Sequence, residues 1–169
     1  FAKVIDYSED EIAEIGTVRI ALDRMAVKLS NLYGSQADYL RLKRIATLCM
    51  EAGERGDMEE ERKYDCDFHL ELAKISRNRM LMKFQQQLYL RVAFILLNHP
   101  NPIEDEPTHR MQHLKLVDAF FAHEEQEALS IITAHLSSFY HLGEKYPPRF
   151  FASKIDDSDF NKISKGTCV

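Results

Sequence analysis

The stretch YDCDFHLELAKISRN, residues 64–78, decides how this chain folds. Phe68, Leu72 and Ile75 recur at the three-to-four-residue period of an amphipathic helix. Just upstream, beside that stripe, stand Asp65 and, four residues on, His69. Residues four apart lie about 40° from each other on a helix, so these two side chains face the same way. Cys66 points nearly opposite the stripe, and Asp67 points elsewhere. A carboxylate on the flank of an apolar face is partly buried, so it needs a partner or must give up its charge.

Outward from this helix, punctuation divides the chain into six helices. Ser8 and Glu11 form a capping box before a first helix with the stripe Ile15, Val18, Leu22, Met25 and Leu29, ended by Gly34. Ser35 opens a second (Tyr39, Leu42, Ile45, Leu48, Cys49, Ala52), closed by Gly53. Asp57 caps the third, which runs to about Ser76. Beyond Asn78 a fourth carries Leu81, Phe84, Leu88, Val92 and Ile95. The loop HPNPIEDEP, 99–107, cannot continue a helix, because its prolines remove donors and clash with preceding turns. Pro107 suits the first position of a fifth helix reaching about His123, and the sixth runs from Glu124 to Leu142, stopped by Gly143. With short connections and no strand-like alternation, the expectation is an all-α antiparallel bundle of six or seven helices.

The 169 residues, 45% hydrophobic, suffice for one domain with a sizeable core. No apolar run approaches the roughly 20 residues that cross a bilayer, so no membrane role is expected. The net charge of −5, with both signs interspersed, argues against nucleic-acid binding by this piece alone. Cys49, Cys66 and Cys168 form no CxxC pair, which fits a reducing cytoplasm. The chain opens on Phe1 and shows no signal peptide, as a fragment or processed chain would. Residues 144–169 lack a clear period and read either as an arm docking on the bundle or a neighbouring subunit, or as a frayed terminus.

The last two helices repeat the oddity of the third. His113 shares a face with Val117 and Phe120, and His135 sits near the centre of the stripe Ala128, Ile132, Phe139 and Leu142. Taken singly, each histidine reads as a hydrogen-bonded core residue. Together, three imidazoles and a carboxylate aimed inward from three helices are costly unless they share something to bind. A divalent cation is the economical answer, since neutral imidazoles and a carboxylate make an N3O set for a transition metal. His109, four residues before His113, competes as a ligand but lies in a first turn. His99 is in the loop, and His123 and His141 fall off the stripes. Cys66 could chelate with His69 only across the less buried face. Glu106 and His109 spell one ExxH, where a di-iron bundle needs two such pairs and two further glutamates.

DCDFHLELAKISRN resembles the D-x-x-F-H-x-x-L-x-x-x-S-G-N pattern of the FCD domain, the effector-binding C-terminal domain of FadR-like regulators in the GntR family. RIALDRMAVKLS, from Arg19, is similar to that family's first helix, R-x-x-L-E-x-x-A-x-x-L-A. HLKLVDAFFAHEEQEA, from His113, and IITAHL resemble its H-x-x-I-x-x-A-I stretch and its closing A-x-x-x-H-L, in order and over about residues 10 to 142. Arg77 stands where the pattern has glycine, and Asp23 where it has glutamate.

The resemblance implies a bundle around a central metal and ligand cavity, with Asp65, His69, His113 and His135 as ligands. Zinc or nickel come first, and manganese, iron or cobalt also accept the set. It implies a small organic acid as effector, meeting the metal and Arg19; Arg91, beside Leu88 and Val92, is a second candidate. An arginine snorkelling over the surface is the plain alternative for Arg19. It further implies a cytoplasmic homodimer that touches DNA only through a missing N-terminal winged-helix domain. On that basis residues 1–8 are a linker remnant, 9–143 the sensing domain and 144–169 an arm. A metal-dependent hydrolase or lyase is the rival function, though no HExxH occurs and Glu71 points away from the face of His69; a metal-free dimerisation module is the third.

Overall fold

The computed structural model describes residues 7–98, 107–147 and 149–152, all helix, turn or coil with no strand. The helices are α1 (Glu9–Tyr33), α2 (Gln36–Glu54), α3 (Met58–Ile75), α4 (Arg79–Asn98), α5 (Pro107–Phe121), α6 (Glu125–Phe139) and a short α7 (Arg149–Ala152), with one 3-10 turn at Leu142–Glu144. Residues 1–6, the loop 99–106 with His99 and Glu106, and 153–169 with Cys168 lie outside the described residues.

The caps form where the sequence places them. Ser8 and Glu11 satisfy each other's backbone at the start of α1, and Ser35 with Asp38 does the same for α2. The Asp57 side chain accepts from the Glu60 amide, and Asn78 Oδ1 accepts from Met80 and Leu81. Five helices close a ring in the order α1, α3, α2, α5, α6, and α4 packs across α1 and α3. Ile20, Val27, Leu42, Phe68, Leu72, Val117, Phe120, Ile132 and Leu136 fill it.

Three helix ends, those of α2, α5 and α6, differ from expectation, while α3 ends where expected. Gly53 does not close α2 but lies buried inside it, where a Cβ would sit 2.3 Å from Arg110 Nε; the turn comes at Gly56, φ +72°. After α3, Arg77 takes φ +58°, the left-handed conformation for which glycine is suited, at a cost of about 1 kcal/mol. α5 ends at Phe121, and His123 turns the chain at φ +57°. α6 stops at Phe139 rather than Leu142, because His141 is left-handed at φ +51°.

The larger correction concerns α1. Val18 and Met25, placed on its core stripe, are 52% and 48% exposed, while Ile15, Leu22 and Leu29 are only partly buried. The buried face instead carries Ala13, Gly16, Arg19, Ile20, Asp23, Ala26, Val27 and Ser30. Gly16 lets α1 press on Tyr140, whose Cγ would lie 2.6 Å from an added Cβ. Phe84 of α4 is likewise exposed, and Gln85 is buried in its stead. Past α6, Tyr146 and Phe151 pack against the core.

Candidate metal centre

α3 delivers Asp65 and His69 one turn apart, α5 delivers His113 and α6 His135. One donor atom from each lies within 4.8 Å of all the others. The three imidazole Nε2 atoms converge on a single oxygen: Asp65 Oδ1 is 3.7 Å from His69, 3.4 Å from His113 and 3.8 Å from His135. These separations are too long for good hydrogen bonds. They are close to the spacing of neighbouring donors around one ion that binds each at about 2.1 Å.

The outer nitrogens are held from behind. His69 Nδ1 lies 2.9 Å from Asp23 Oδ1, and His135 Nδ1 lies 3.1 Å from Gln112 Oε1. Each contact fixes its ring with Nδ1–H outward and turns the Nε2 lone pair to the centre, as ligating imidazoles require. His69 Nε2 and both nitrogens of His113 have no hydrogen-bond partner among the described residues, although all three rings are buried. Buried polar atoms left this way cost free energy. A shared cation would satisfy them, so the donor set fits a transition metal.

The charges agree. Burial pushes the His113 imidazole well below its ordinary range, helped by the neighbouring His135. Burial also pushes His135 down to about 3. Burial would raise the Asp65 carboxyl, but the His135, His69 and His113 rings facing it outweigh that and hold it well below the usual range. Neutral imidazole and carboxylate are the ligand forms. At His69 burial pushes downward, yet the Asp23 carboxylate outweighs it and raises the ring above its ordinary value. A proton on that ring is one an incoming ion must displace.

Arg19 is no surface arginine: it is 1% exposed. Its guanidinium donates to Tyr140 Oη at 3.0 Å and to the Tyr89 hydroxyl, lies 3.6 Å from Asp65 Oδ2 and 3.7 Å from Asp23 Oδ2, and stacks 4.7 Å over the Tyr89 ring. Burial disfavours its charge, but Tyr140, Tyr89, Asp65 and Asp23 together hold its pKa well above normal. Asp65 therefore offers one oxygen to the histidines and the other to Arg19. The second arginine, Arg91, lies exposed on α4, and Tyr89, two residues earlier, reaches the cluster with its ring 5.9 Å from that of His69.

The rivals fall into place. His109 stacks on His135 with centroids 4.1 Å apart but is not among the four donors. Cys66 is not among them either; burial, with Asp65 and Asp67, pushes its thiol up to about 11. Glu71 is engaged by Arg41 and Lys74. Sequence reasoning missed Tyr89, Tyr140 and Gln112, which stand in no recognisable spacing. Beside the cluster lies a small cavity of about 20 Å³, lined on its far side by Arg62, Arg110 and Glu61. Arg110 Nε donates to Glu61 Oε1 at 2.7 Å. That volume holds a single water-sized group.

Residues 14–138 match the model of the FCD domain family. No curated protein matches the chain by sequence at a significant level. Among solved structures the chain is similar to E. coli McbR/YncC, with a TM-score of 0.71 and 22% identity over 82% of this chain. The match spans 66% of that protein's chain, and at this identity it speaks for the fold alone. The family match extends over most of the sequence and sets the hydrolase or lyase reading aside. The chain belongs to the FCD domain family, the effector-binding domains of GntR-type regulators, and is a regulatory domain, not an enzyme.

Proposed function

We propose that this domain holds a divalent transition metal through Asp65, His69, His113 and His135 and uses it to sense a small organic acid. The observation that carries the reading is the convergence of three buried Nε2 atoms on Asp65 Oδ1, two of the rings braced from behind by Asp23 and Gln112. A metal bound there supplies Lewis-acid attraction for a carboxylate oxygen at any coordination position the protein leaves open. Arg19 holds the outer oxygen of Asp65. Arg62 and Arg110 line the space beside the cluster, and an effector carboxylate there meets Arg110 as well as the field of Arg19. A cavity this small must widen to admit an organic acid. Widening separates α3 from α5 and α6, and this is the differential contact by which an effector favours one packing of the bundle. In the complete regulator, a cytoplasmic homodimer, that packing sets how the winged-helix domains meet DNA.

Elemental analysis of purified protein tests the centre. One metal ion per chain is expected, of zinc or nickel, and it is lost in His113→Ala and His135→Ala. Titration with a panel of C3 to C6 carboxylic acids is expected to release or absorb heat only in metal-loaded protein. Purified protein that carries no stoichiometric metal, and takes up none from zinc or nickel, sinks the reading.

A further inference from the structure

We propose that the cleft between α1, α6 and α7 is a second ligand site, which takes an aromatic carboxylate without the help of a metal. The cleft encloses about 540 Å³, inside the range of roughly 300 to 1,000 Å³ typical of small-molecule sites. It lies on the far side of α6 from the candidate centre. Thr133 and Ser137, which line it, stand two residues either side of His135, about 200° round the helix.

Its walls divide in two. One is apolar, made by Leu129 with Tyr146 and Phe151, whose rings meet edge to face with centroids 5.9 Å apart. The other is polar and incompletely satisfied. Arg24 Nη1 donates to Thr133 Oγ1 at 2.6 Å and to the Leu129 carbonyl at 3.4 Å. Both acceptors are neutral, and no carboxylate among the described residues pairs with this guanidinium. Burial therefore acts on it unopposed and lowers its pKa, whereas at Arg19 the neighbouring tyrosines and carboxylates outweigh burial.

Ser137 Oγ, one turn beyond Thr133 on the same flank of α6, is buried and has no hydrogen-bond partner among the described residues. A buried hydroxyl left in this way costs free energy. An unanswered cation and a stranded hydroxyl facing aromatic rings select the occupant. A carboxylate brings the charge that Arg24 lacks, in the planar form a guanidinium pairs with best, and further acceptor capacity for a hydroxyl. An aromatic body packs against Tyr146 and Phe151.

This goes beyond the metal-centred reading and does not depend on it. The chain has no tryptophan, so fluorescence anisotropy of 2-naphthoate titrated with the whole protein tests it directly. Saturable binding is expected below about 1 mM, with the uncharged 2-naphthalenemethanol at least tenfold weaker. Arg24→Gln, with unchanged helical circular dichroism, should weaken naphthoate roughly tenfold, and Phe151→Ala about fivefold. Stripping the protein with a chelator should leave the affinity as it was. No binding up to about 1 mM, equal binding of the alcohol, or either variant binding as wild type would overturn the proposal. So would loss of binding on chelation, which would put the acid at the centre instead.

Discussion

The two faces of α1 invert the usual order. Its inner face buries Arg19 and Asp23, at 1% and 0% exposure, while its outer face leaves Val18 and Met25 about half exposed. A core could have been built more simply with the apolar residues inward. The inner charges persist because each is answered: Arg19 by two tyrosine hydroxyls and two carboxylates, Asp23 by His69. The outer residues gain nothing from this chain's own core. An apolar stripe thus records what a helix meets, not where the protein's centre lies.

Removing the inner charge should produce the largest effect. Arg19→Met leaves Asp23 with His69 alone and Asp65 without its arginine counter-charge, and urea unfolding of metal-free protein should show a loss of about 4 kcal/mol. If the loss is under about 1 kcal/mol, the inner face is not the balanced network described. Next, Asp23→Asn keeps an acceptor for His69 Nδ1 but removes the charge behind it. Competition with a chromophoric chelator should find metal affinity down tenfold to a hundredfold, with Asp67→Asn, on the exposed side of α3, unchanged.

Asp38 extends the comparison to a buried charge away from the centre. Its hydrogen bonds with Ser35, with Arg41 alongside, push its carboxyl down from 3.8 to about 2. The folded state therefore prefers the ionised form. The stability this contributes is present above pH 3.8 and is lost as pH falls toward 2. Urea midpoints should show wild type losing about 1 kcal/mol more than Asp38→Asn across that window, after allowance for solvent screening. The smallest effect belongs to the outer face: Val18→Thr should shift the unfolding free energy by under about 0.5 kcal/mol in protein diluted to monomer.

Much of this was legible in the sequence. The helices, their caps and the four converging donors follow from local period and from polar residues on apolar stripes, because α3, α5 and α6 each bury the face that carries their larger side chains. α1 broke the rule. Its inner face is marked by small residues, Ala13, Gly16, Ala26 and Ser30, which allow the close approach of α3 and Tyr140. Hydrophobicity alone gives such positions little weight. Asp23 could have been found from that pattern, four residues after Arg19 and between Ile20 and Val27. Tyr89 and Tyr140 could not, since only the assembled bundle brings them to Arg19. The helix ends at His123 and His141 escaped for a local reason: each takes a left-handed turn without the glycine that announces one.

Among the four donors only Asp65 keeps any real exposure, 20% of its side chain against 3% or less for the histidines. Under the proposed function, an ion coming from solvent meets Asp65 first among the four donors, and that is the residue Arg19 grips. Loading and stripping should be slow, with half-times set by how often that grip loosens rather than by how strongly a scavenging reagent pulls.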